Sequence, residues 1–300
     1  MRVLISGSTG LIGSALSGSL RAAGHDAGGL VRPGRTAGAD DVRWDPAMGT
    51  IDQDALAGFD AIVNLAGESI SGRWTRAKKD RIRDSRVCST RTLSEVLGKL
   101  PPNVRPRVFV SASAIGYYGN RGDELLAEDA GPGETFLSDV CRQWEAATAP
   151  AAEAGIRVAN ARFAVVLSAR GGALSEMLTP FRMGLGGRIG SGRQYISWIA
   201  LADAVGAIGR IIEDDSQTGP VNIASPNPVT NAEFAAALAR ALHRPALLPT
   251  PAFAARLALG QMADELLLAS ARVVPRKLRD AGFEYLFPNL DEAIRAALSP

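Results

Sequence analysis

The sequence is poor in the residues that hold metals and form disulfides. It contains two cysteines, Cys88 and Cys141, and two histidines, His25 and His243. Two cysteines do not make a disulfide framework, and they fit a reducing compartment. No cluster of histidines, cysteines and carboxylates has the spacing of metal ligands, so we predict no metal site.

The chain also lacks long hydrophobic runs and an excess of either charge. No stretch approaches the roughly 18 apolar residues of a membrane span, and a glycine ends the short apolar run at the N-terminus before it reaches the length of a signal sequence. The 33 basic and 31 acidic residues give a net charge of +2, which gives no reason to expect nucleic acid or a membrane surface as a partner. We predict a cytoplasmic protein that binds a small-molecule substrate, and a homodimer is left open.

Short apolar runs alternate with longer amphipathic stretches in the first two-thirds of the 300 residues. The predicted strands are 3–5, 27–31, 42–44, 61–63, 108–110 and one that starts at 157, and the predicted helices are 11–23, 77–98 and 137–154. Continuous apolar runs that alternate with helices are typical of parallel strands covered on both faces. The predicted fold class is therefore α/β, with a doubly wound Rossmann parallel sheet.

A glycine-rich turn lies between the first predicted strand and the first predicted helix. One glycine lets the chain turn tightly, one lets the backbone approach a pyrophosphate, and one lets helix and strand pack closely. The N-terminus of the helix adds free N–H groups and a positive dipole end. The alternative, a turn without a ligand, is disfavoured because strand, turn and helix follow in the order that a dinucleotide site requires. The predicted phosphate-binding residues are Gly7, Ser8, Thr9, Gly10, Leu11, Ile12 and Gly13.

The end of the second predicted strand favours NADP over NAD. An NAD site has an acidic residue there that binds the ribose 2′-hydroxyl, but this chain has Arg32, with Arg35 close behind it. A guanidinium pairs with phosphate oxygens in a bidentate way, which suits a 2′-phosphate. The alternative is that both are solvated loop arginines. The missing acid decides the prediction in favour of NADP as the cofactor.

The alternation changes after residue 162. A loop at 184–192 is rich in glycine, and helices are predicted at 201–212, 231–242 and 252–268. We predict an NADP-binding Rossmann domain over residues 1–224, within which 163–200 contribute to a substrate lobe. Residues 225–300 form the rest of that smaller C-terminal lobe.

Motifs along the whole chain resemble one family. They include the glycine turn, Arg32, and residues 44–45, 64–68, 73–74, 85–86, 111–114, 116–119, 144–145, 184–187, 190–192, 198–199, 226–231 and 282–283. The chain resembles the uncharacterised NAD(P)-dependent epimerase-like family of the extended short-chain dehydrogenase/reductases, often labelled nucleoside-diphosphate-sugar epimerase. The resemblance implies the Rossmann fold but no defined reaction. It also implies further cofactor contacts from Asn64, Leu65, Ala66, Gly67, Arg86, Ser111 and Phe163. For Arg86 the alternative is one more charge on a solvated helix face.

The resemblance also implies a catalytic serine, tyrosine and lysine, of which only the serine is evident. Ser113 matches the serine, which hydrogen-bonds the substrate oxygen while a phenol moves the proton. The places of the tyrosine and lysine hold Leu137 and Cys141, and no lysine occurs from 123 to 161. Tyr117 or Tyr118 is the substitute phenol, although packing under the loop is the alternative for at least one of them.

Two hypotheses follow from the sequence. The first is an NADP(H)-dependent oxidoreductase or epimerase that acts on a small carbonyl or sugar-like substrate. The second is a non-catalytic NADP(H)-binding protein that senses redox state or scaffolds a partner. The missing tyrosine and lysine favour the second, whereas Arg188 and Arg193 in the predicted cleft loop favour a real, anionic substrate.

Overall fold

The computed structural model describes residues 1–246 and 248–299. Its strands are β1 (Arg2–Ser6), β2 (Asp26–Val31), β3 (Val42–Asp45), β4 (Thr50–Ile51), β5 (Ala61–Asn64), β6 (Val108–Ala114), β7 (Leu125–Leu126), β8 (Arg157–Phe163), β9 (Val165–Leu167), β10 (Tyr195–Ile196), β11 (Trp198–Ala200), β12 (Gly219–Ile223), β13 (Val229–Thr230) and β14 (Arg272–Val273). Its helices are α1 (Leu11–Ala22), α2 (Arg76–Lys99), α3 (Phe136–Ala146), α4 (Ala149–Glu153), α5 (Gly172–Arg182), α6 (Leu201–Glu213), α7 (Asn231–Leu242), α8 (Ala252–Leu259), α9 (Arg276–Asp280) and α10 (Leu290–Leu298).

An eight-stranded sheet forms the centre of the structure, in the order β12-β8-β6-β5-β1-β2-β3-β4. Its pairs are parallel except β3 with β4. The chain builds outward from β1 through β2 and β3, and then returns to the other side of β1 with β5. The carboxyl ends of β1 and β5 therefore form the switch point where ligands bind in such sheets. This architecture confirms the predicted doubly wound α/β fold.

Apolar side chains from alternate strand positions cover both faces of this sheet. Val3 and Ile5 pack on one face with α6, whereas Leu4 packs on the other with Leu93 and Leu97 of α2. A separate cluster joins residues of α5 and β11 to α7 and α10. Residues 163–200 thus share a core with the C-terminal segment. Within the residues described, no helix combines the length and apolar character that crossing a bilayer requires.

Two predicted helices are each interrupted, and both predictions need correction. The helix predicted over 137–154 is two helices, α3 and α4, because Thr148 Oγ1 bonds back to Glu145 O and Pro150, which has no N–H, stands in the first turn of α4. The helix predicted over 252–268 ends at Leu259. Gly260 leaves the helix with φ 62°, and a π-helical turn follows at Ala263–Leu267.

Two glycines in β2 have a packing cause. A Cβ atom at Gly28 would overlap the carbonyl oxygen of Asp40, because the loop between β2 and β3 crosses directly over the strand. At Gly29 a Cβ atom would lie 2.6 Å from Ser8 Oγ. These glycines bring the glycine-rich turn and the β2–β3 loop together at the carboxyl edge of the sheet.

Candidate functional site

The three glycines of the turn after β1 have different surroundings. Gly7 has φ +74°, a conformation that suits glycine, and a Cβ atom there would lie 3.1 Å from the backbone of Leu65. A Cβ atom at Gly13 would overlap Gly7 O and lie 2.9 Å from Ser8 Cα. At Gly10 a Cβ atom would meet only Gly7 O, at 3.2 Å. Gly7 and Gly13 therefore serve close packing, whereas the side of Gly10 is open.

The N-terminus of α1 is free of side-chain caps. Gly10 is its N-cap residue, no side chain bonds there, and no acidic residue stands in the first turn. The N–H groups of a first helical turn have no partner within the helix and carry the positive end of its dipole. The open side of Gly10 and these N–H groups together form a cradle that fits a pyrophosphate.

The end of β2 presents cationic side chains to solvent. Arg32 and Arg35 are both exposed. The acid that approaches this strand, Asp41, has both carboxylate oxygens occupied by backbone, since Oδ1 accepts from Gly29 N at 2.6 Å and Oδ2 accepts from Gly38 N at 2.7 Å. The sequence analysis missed this role of Asp41, which braces the loop. The guanidinium groups of Arg32 and Arg35 suit a phosphate better than a neutral hydroxyl.

Arg86 lies against the end of β5 instead of pointing away from the sheet. Its Cζ is 5.2 Å from the centroid of the Trp144 ring, and its Nη1 donates to Ile82 O at 3.0 Å. A Cβ atom at Gly67 would lie 3.2 Å from that same Cζ. Burial lowers the pKa of Arg86. The solvated-face alternative for this residue is therefore wrong.

Asn64 and Ser111 do not present their side chains to the cleft. Both are fully buried, in register on neighbouring strands. Asn64 Nδ2 donates to Thr90 Oγ1 at 2.8 Å, which also accepts from Trp144 Nε1 at 2.8 Å. The structure corrects the predicted contacts of these two residues with a cofactor, because both residues are fully buried. Leu65, Ala66 and Phe163 are half-buried, at the carboxyl ends of their strands.

Ser113 points to the same side of the sheet and is part of a buried polar network. Its hydroxyl donates to Glu145 Oε1 at 2.7 Å. Arg162 holds both oxygens of that carboxylate, with distances of 2.7 and 2.8 Å from Nε and Nη2. Although desolvation opposes it, this pairing raises the pKa of Arg162 above its usual range. Its hydrogen is given to Glu145 and 2% of the residue is exposed, so a ligand could meet Ser113 through its lone pairs alone.

The two candidate tyrosines differ in position. Tyr118 is fully buried, its hydroxyl donates to Asn222 Oδ1 at 2.7 Å, and it accepts from Arg162 Nη1 at 3.0 Å. Burial raises the pKa of Tyr118 to about 12. The prediction of Tyr118 as a proton donor is therefore corrected to a packing role. Tyr117 is half-buried, and the Arg162 guanidinium carbon lies 3.5 Å from its ring centroid.

The inner face of α3 is apolar where the related enzymes are expected to carry tyrosine and lysine. Leu137 and Cys141 are both buried there. Leu137 Cβ would lie 3.2 Å from a Cβ atom at Gly116, and Cys141 Sγ is 3.7 Å from Ala114 O. Burial raises the pKa of the Cys141 thiol to about 11. The helix stands where the sequence predicts it, but this face supplies neither a phenol nor an ammonium group.

The two arginines predicted to favour an anionic substrate lie in different surroundings. Arg188 Nη1 donates to Gly190 O and Ser191 O, so this side chain braces the glycine-rich loop. Arg193 lines a cavity of about 360 Å³ with Asp123 and Tyr195. The Arg188 side chain is used within its own loop. Arg193 therefore remains the candidate partner for an anionic substrate.

Comparisons with known proteins find relatives that match most of the chain. Residues 3–224 match the model of the NAD dependent epimerase/dehydratase family, and residues 250–297 match a domain of unknown function. An epimerase family protein of Mycobacterium tuberculosis is 45% identical over 293 residues, which are 97% of this chain and 96% of that protein. Epimerase family protein SDR39U1 of Bos taurus is 37% identical over 304 residues, 100% of each chain. The crystal structure of human SDR39U1 with NADPH is 35% identical, covers 99% of each chain and has a TM-score of 0.89.

Proposed function

Since the chain belongs to the NAD-dependent epimerase/dehydratase family, we propose that it binds NADP(H) and transfers a hydride to or from a small carbonyl or sugar-like substrate. The observation that carries the proposal is the pairing of an open glycine cradle at Gly10 with exposed guanidinium groups at Arg32 and Arg35. A human relative whose structure contains NADPH supports the same cofactor.

The residues of the cleft fit an extended dinucleotide. The first turn of α1 would bind the pyrophosphate through backbone N–H groups, and Arg32 with Arg35 would bind the 2′-phosphate. Leu65 and Ala66 would form an apolar wall at the end of β5. Bound there, the nicotinamide supplies the hydride chemistry.

The chain's own polar groups limit what the reaction centre can do. Ser113 accepts a hydrogen bond from a substrate hydroxyl, because its own hydrogen is held by Glu145. This geometry favours an alcohol or sugar hydroxyl as the group next to Ser113 over a carbonyl oxygen. Tyr117 is the phenol that remains half-exposed near the end of β6, so we assign it the proton transfer.

A second candidate function is non-catalytic binding of NADP(H), for redox sensing or as a scaffold. The observation that favours it is the apolar face of α3, where Leu137 and Cys141 stand. A phenol with an ordinary pKa near 10 is a poor base at neutral pH without a nearby ammonium group. Binding and turnover therefore have to be measured separately.

One experiment distinguishes these functions. Calorimetric titration of NADPH and NADP⁺ first tests binding, and single-turnover absorbance then follows NADPH against aldehydes, ketones and quinones, and NADP⁺ against alcohols and sugar nucleotides. Turnover with any class supports hydride transfer. Tight binding with no turnover on the whole panel supports the non-catalytic function. If neither NADPH nor NADP⁺ binds, both proposed functions are contradicted.

A further inference from the structure

The C-terminal lobe carries a concentration of exposed apolar side chains. Eight large hydrophobic side chains are exposed among the described residues, and five of them belong to the stretches 183–185 and 248–257: Met183, Leu185, Leu248, Phe253 and Leu257. Phe253 and Leu257 are the most exposed of the five, at 72% and 76%, and they lie one turn apart on the outer side of α8. Apolar exposure that is concentrated in one region indicates an interaction surface, whereas single scattered residues do not.

The two stretches are neighbours in the fold. Gly190 N donates to Thr250 O at 2.8 Å, three residues before Phe253. A Cβ atom at Gly187 would overlap the carbonyl oxygen of Leu248, because the loop after α5 runs directly over that backbone. The five apolar side chains therefore share one region of the molecular surface, which we call the lobe surface.

Both segments that build the lobe surface are free of acidic residues. The sequence has no aspartate or glutamate from 177 to 202 or from 234 to 263, although the whole chain has 31. The same two ranges contain six exposed arginines: Arg182, Arg188, Arg193, Arg240, Arg244 and Arg256. The net charge of +2 averages over the whole molecule, so it conceals a cationic region in this lobe.

Most of this positive charge is not neutralised by neighbouring carboxylates. Arg240 pairs with Asp291 at 2.8 Å, and Arg256 pairs with Asp264 at 2.7 Å. Both pairs are exposed to solvent, where ion pairs contribute little and competing ions can replace one partner. The other four arginines form no salt bridge within the part of the chain that the structure describes. The lobe surface therefore complements a partner that is negatively charged and partly apolar.

The composition of the lobe surface decides among three kinds of partner. A two-fold dimer would place this surface against the same surface of a second copy, with arginine opposite arginine. Peptide partners dock in grooves or along sheet edges, whereas these apolar side chains protrude from a loop and from the outer side of α8. Protruding leucine and phenylalanine among arginines are typical of surfaces that lie in the headgroup region of a bilayer, and anionic headgroups attract basic residues.

We propose that the lobe surface binds an anionic lipid bilayer, with Phe253 and Leu257 inserted among the headgroups and Arg182 and Arg244 on the lipid phosphates. The protein lies on the bilayer in this arrangement and does not cross it. The inference goes beyond the proposed function and does not depend on it, because no cofactor contact is assigned to 182–185 or 244–257. It also revises the expectation drawn from the net charge of the whole chain.

Vesicle sedimentation of the full chain tests the proposal. One set of vesicles contains phosphatidylcholine alone, and the other contains equimolar phosphatidylcholine and phosphatidylglycerol. Wild type should bind the mixed vesicles at least about tenfold more tightly than the neutral ones. Rising salt should release it from the mixed vesicles, because exposed charges are screened.

Leu257→Glu and Met48→Glu form a matched pair of variants. The two side chains are 76% and 75% exposed, but Met48 lies in the turn between β3 and β4, at the far edge of the central sheet. Leu257→Glu should weaken binding to the mixed vesicles by about tenfold or more, because it removes an inserted side chain and adds a repelled charge. Met48→Glu should stay within about twofold of wild type, since its charge is distant from the bilayer and screened.

A second variant tests the cationic part of the lobe surface. Arg182→Gln combined with Arg244→Gln should weaken binding to the mixed vesicles by about tenfold or more and flatten its salt dependence. Both side chains are exposed, so the urea unfolding of this protein and its NADPH affinity should match those of wild type.

Three results would overturn the assignment. The first is wild type that binds both kinds of vesicle equally, or loses binding equally in Leu257→Glu and Met48→Glu. The second is a wild-type dimer in light scattering that Leu257→Glu dissociates, which would make the lobe surface an interface between copies. The third is wild type that ignores the vesicles but binds polyglutamate, which would indicate an acidic protein as the partner.

Discussion

Alanine at Gly13 and alanine at Gly10, which lie on either side of the first turn of α1, should have different effects. In Gly13→Ala the new methyl group overlaps the carbonyl oxygen of Gly7, and a backbone atom cannot rotate away as a side chain can. Overpacking of this kind costs about 1–3 kcal/mol, and alanine regains about 1 kcal/mol over glycine inside a helix. Taking the upper end for a backbone clash, we expect the free energy of unfolding to fall by about 2 kcal/mol.

Gly10→Ala is the matched control for this change. Its methyl group would meet Gly7 O at 3.2 Å and nothing else within 4 Å, and the φ of −76° is open to any residue. Loss of glycine at an N-cap costs up to about 1 kcal/mol. NADPH affinity should nevertheless drop in Gly10→Ala and disappear in Gly10→Val, because the side chain enters the space of the pyrophosphate.

Urea unfolding and calorimetric titration of the same three proteins check both halves of this reasoning. A Gly13→Ala protein as stable as wild type would refute the close contact between α1 and the turn. Normal NADPH binding by a folded Gly10→Val protein would show that the turn is only structural.

Three further predictions concern the cofactor end, the buried tyrosine and the reaction centre. Arg32→Ala should weaken NADPH by about 1–3 kcal/mol and leave NADH almost unchanged in calorimetric titrations, and equal losses for both cofactors would contradict a 2′-phosphate contact. Because the folded pKa of Tyr118 is raised to about 12, its contribution to stability is present below pH 10 and is lost as the pH rises towards 12. Between pH 9 and 12 the free energy of unfolding, measured with urea, should therefore fall by about 2–3 kcal/mol less in Tyr118→Phe than in wild type. Parallel pH profiles for the two proteins would contradict this expectation. Ser113→Ala and Tyr117→Phe should each abolish single-turnover NADPH oxidation or NADP⁺ reduction without changing cofactor affinity; if both turn over like wild type, the reaction centre lies elsewhere.

The features that the sequence predicts well are local in the chain. The glycine turn, the apolar run of β1 and the start of α1 lie within about a dozen consecutive residues, and the spacing of their side chains carries the signal. The break between α3 and α4 is local too, and Pro150 was the available sign of it. A proline has no N–H to donate to the preceding turn, so it marks a break in a helical pattern even among alanines.

The features that were missed depend on residues far apart in the chain. The Tyr118 phenol can be buried because Asn222, 104 positions later, accepts a hydrogen bond from its hydroxyl. Ser113 donates its hydroxyl hydrogen to Glu145, which lies 32 positions later in the chain. Asn64 could not be assigned to the covered face of the sheet before the register of β5 and β6 was known. Periodicity shows which strand such residues lie on, but not which face each side chain points to.

The network around Asn222 also limits how the protein can open and close around a ligand. Asn222 Nδ2 donates to Val274 O of the C-terminal segment at 3.0 Å, while Oδ1 accepts from Tyr118. A rigid-body rotation at this point would break several buried hydrogen bonds at once, each costly to leave unmade. The hinge of any domain closure should therefore lie away from Asn222.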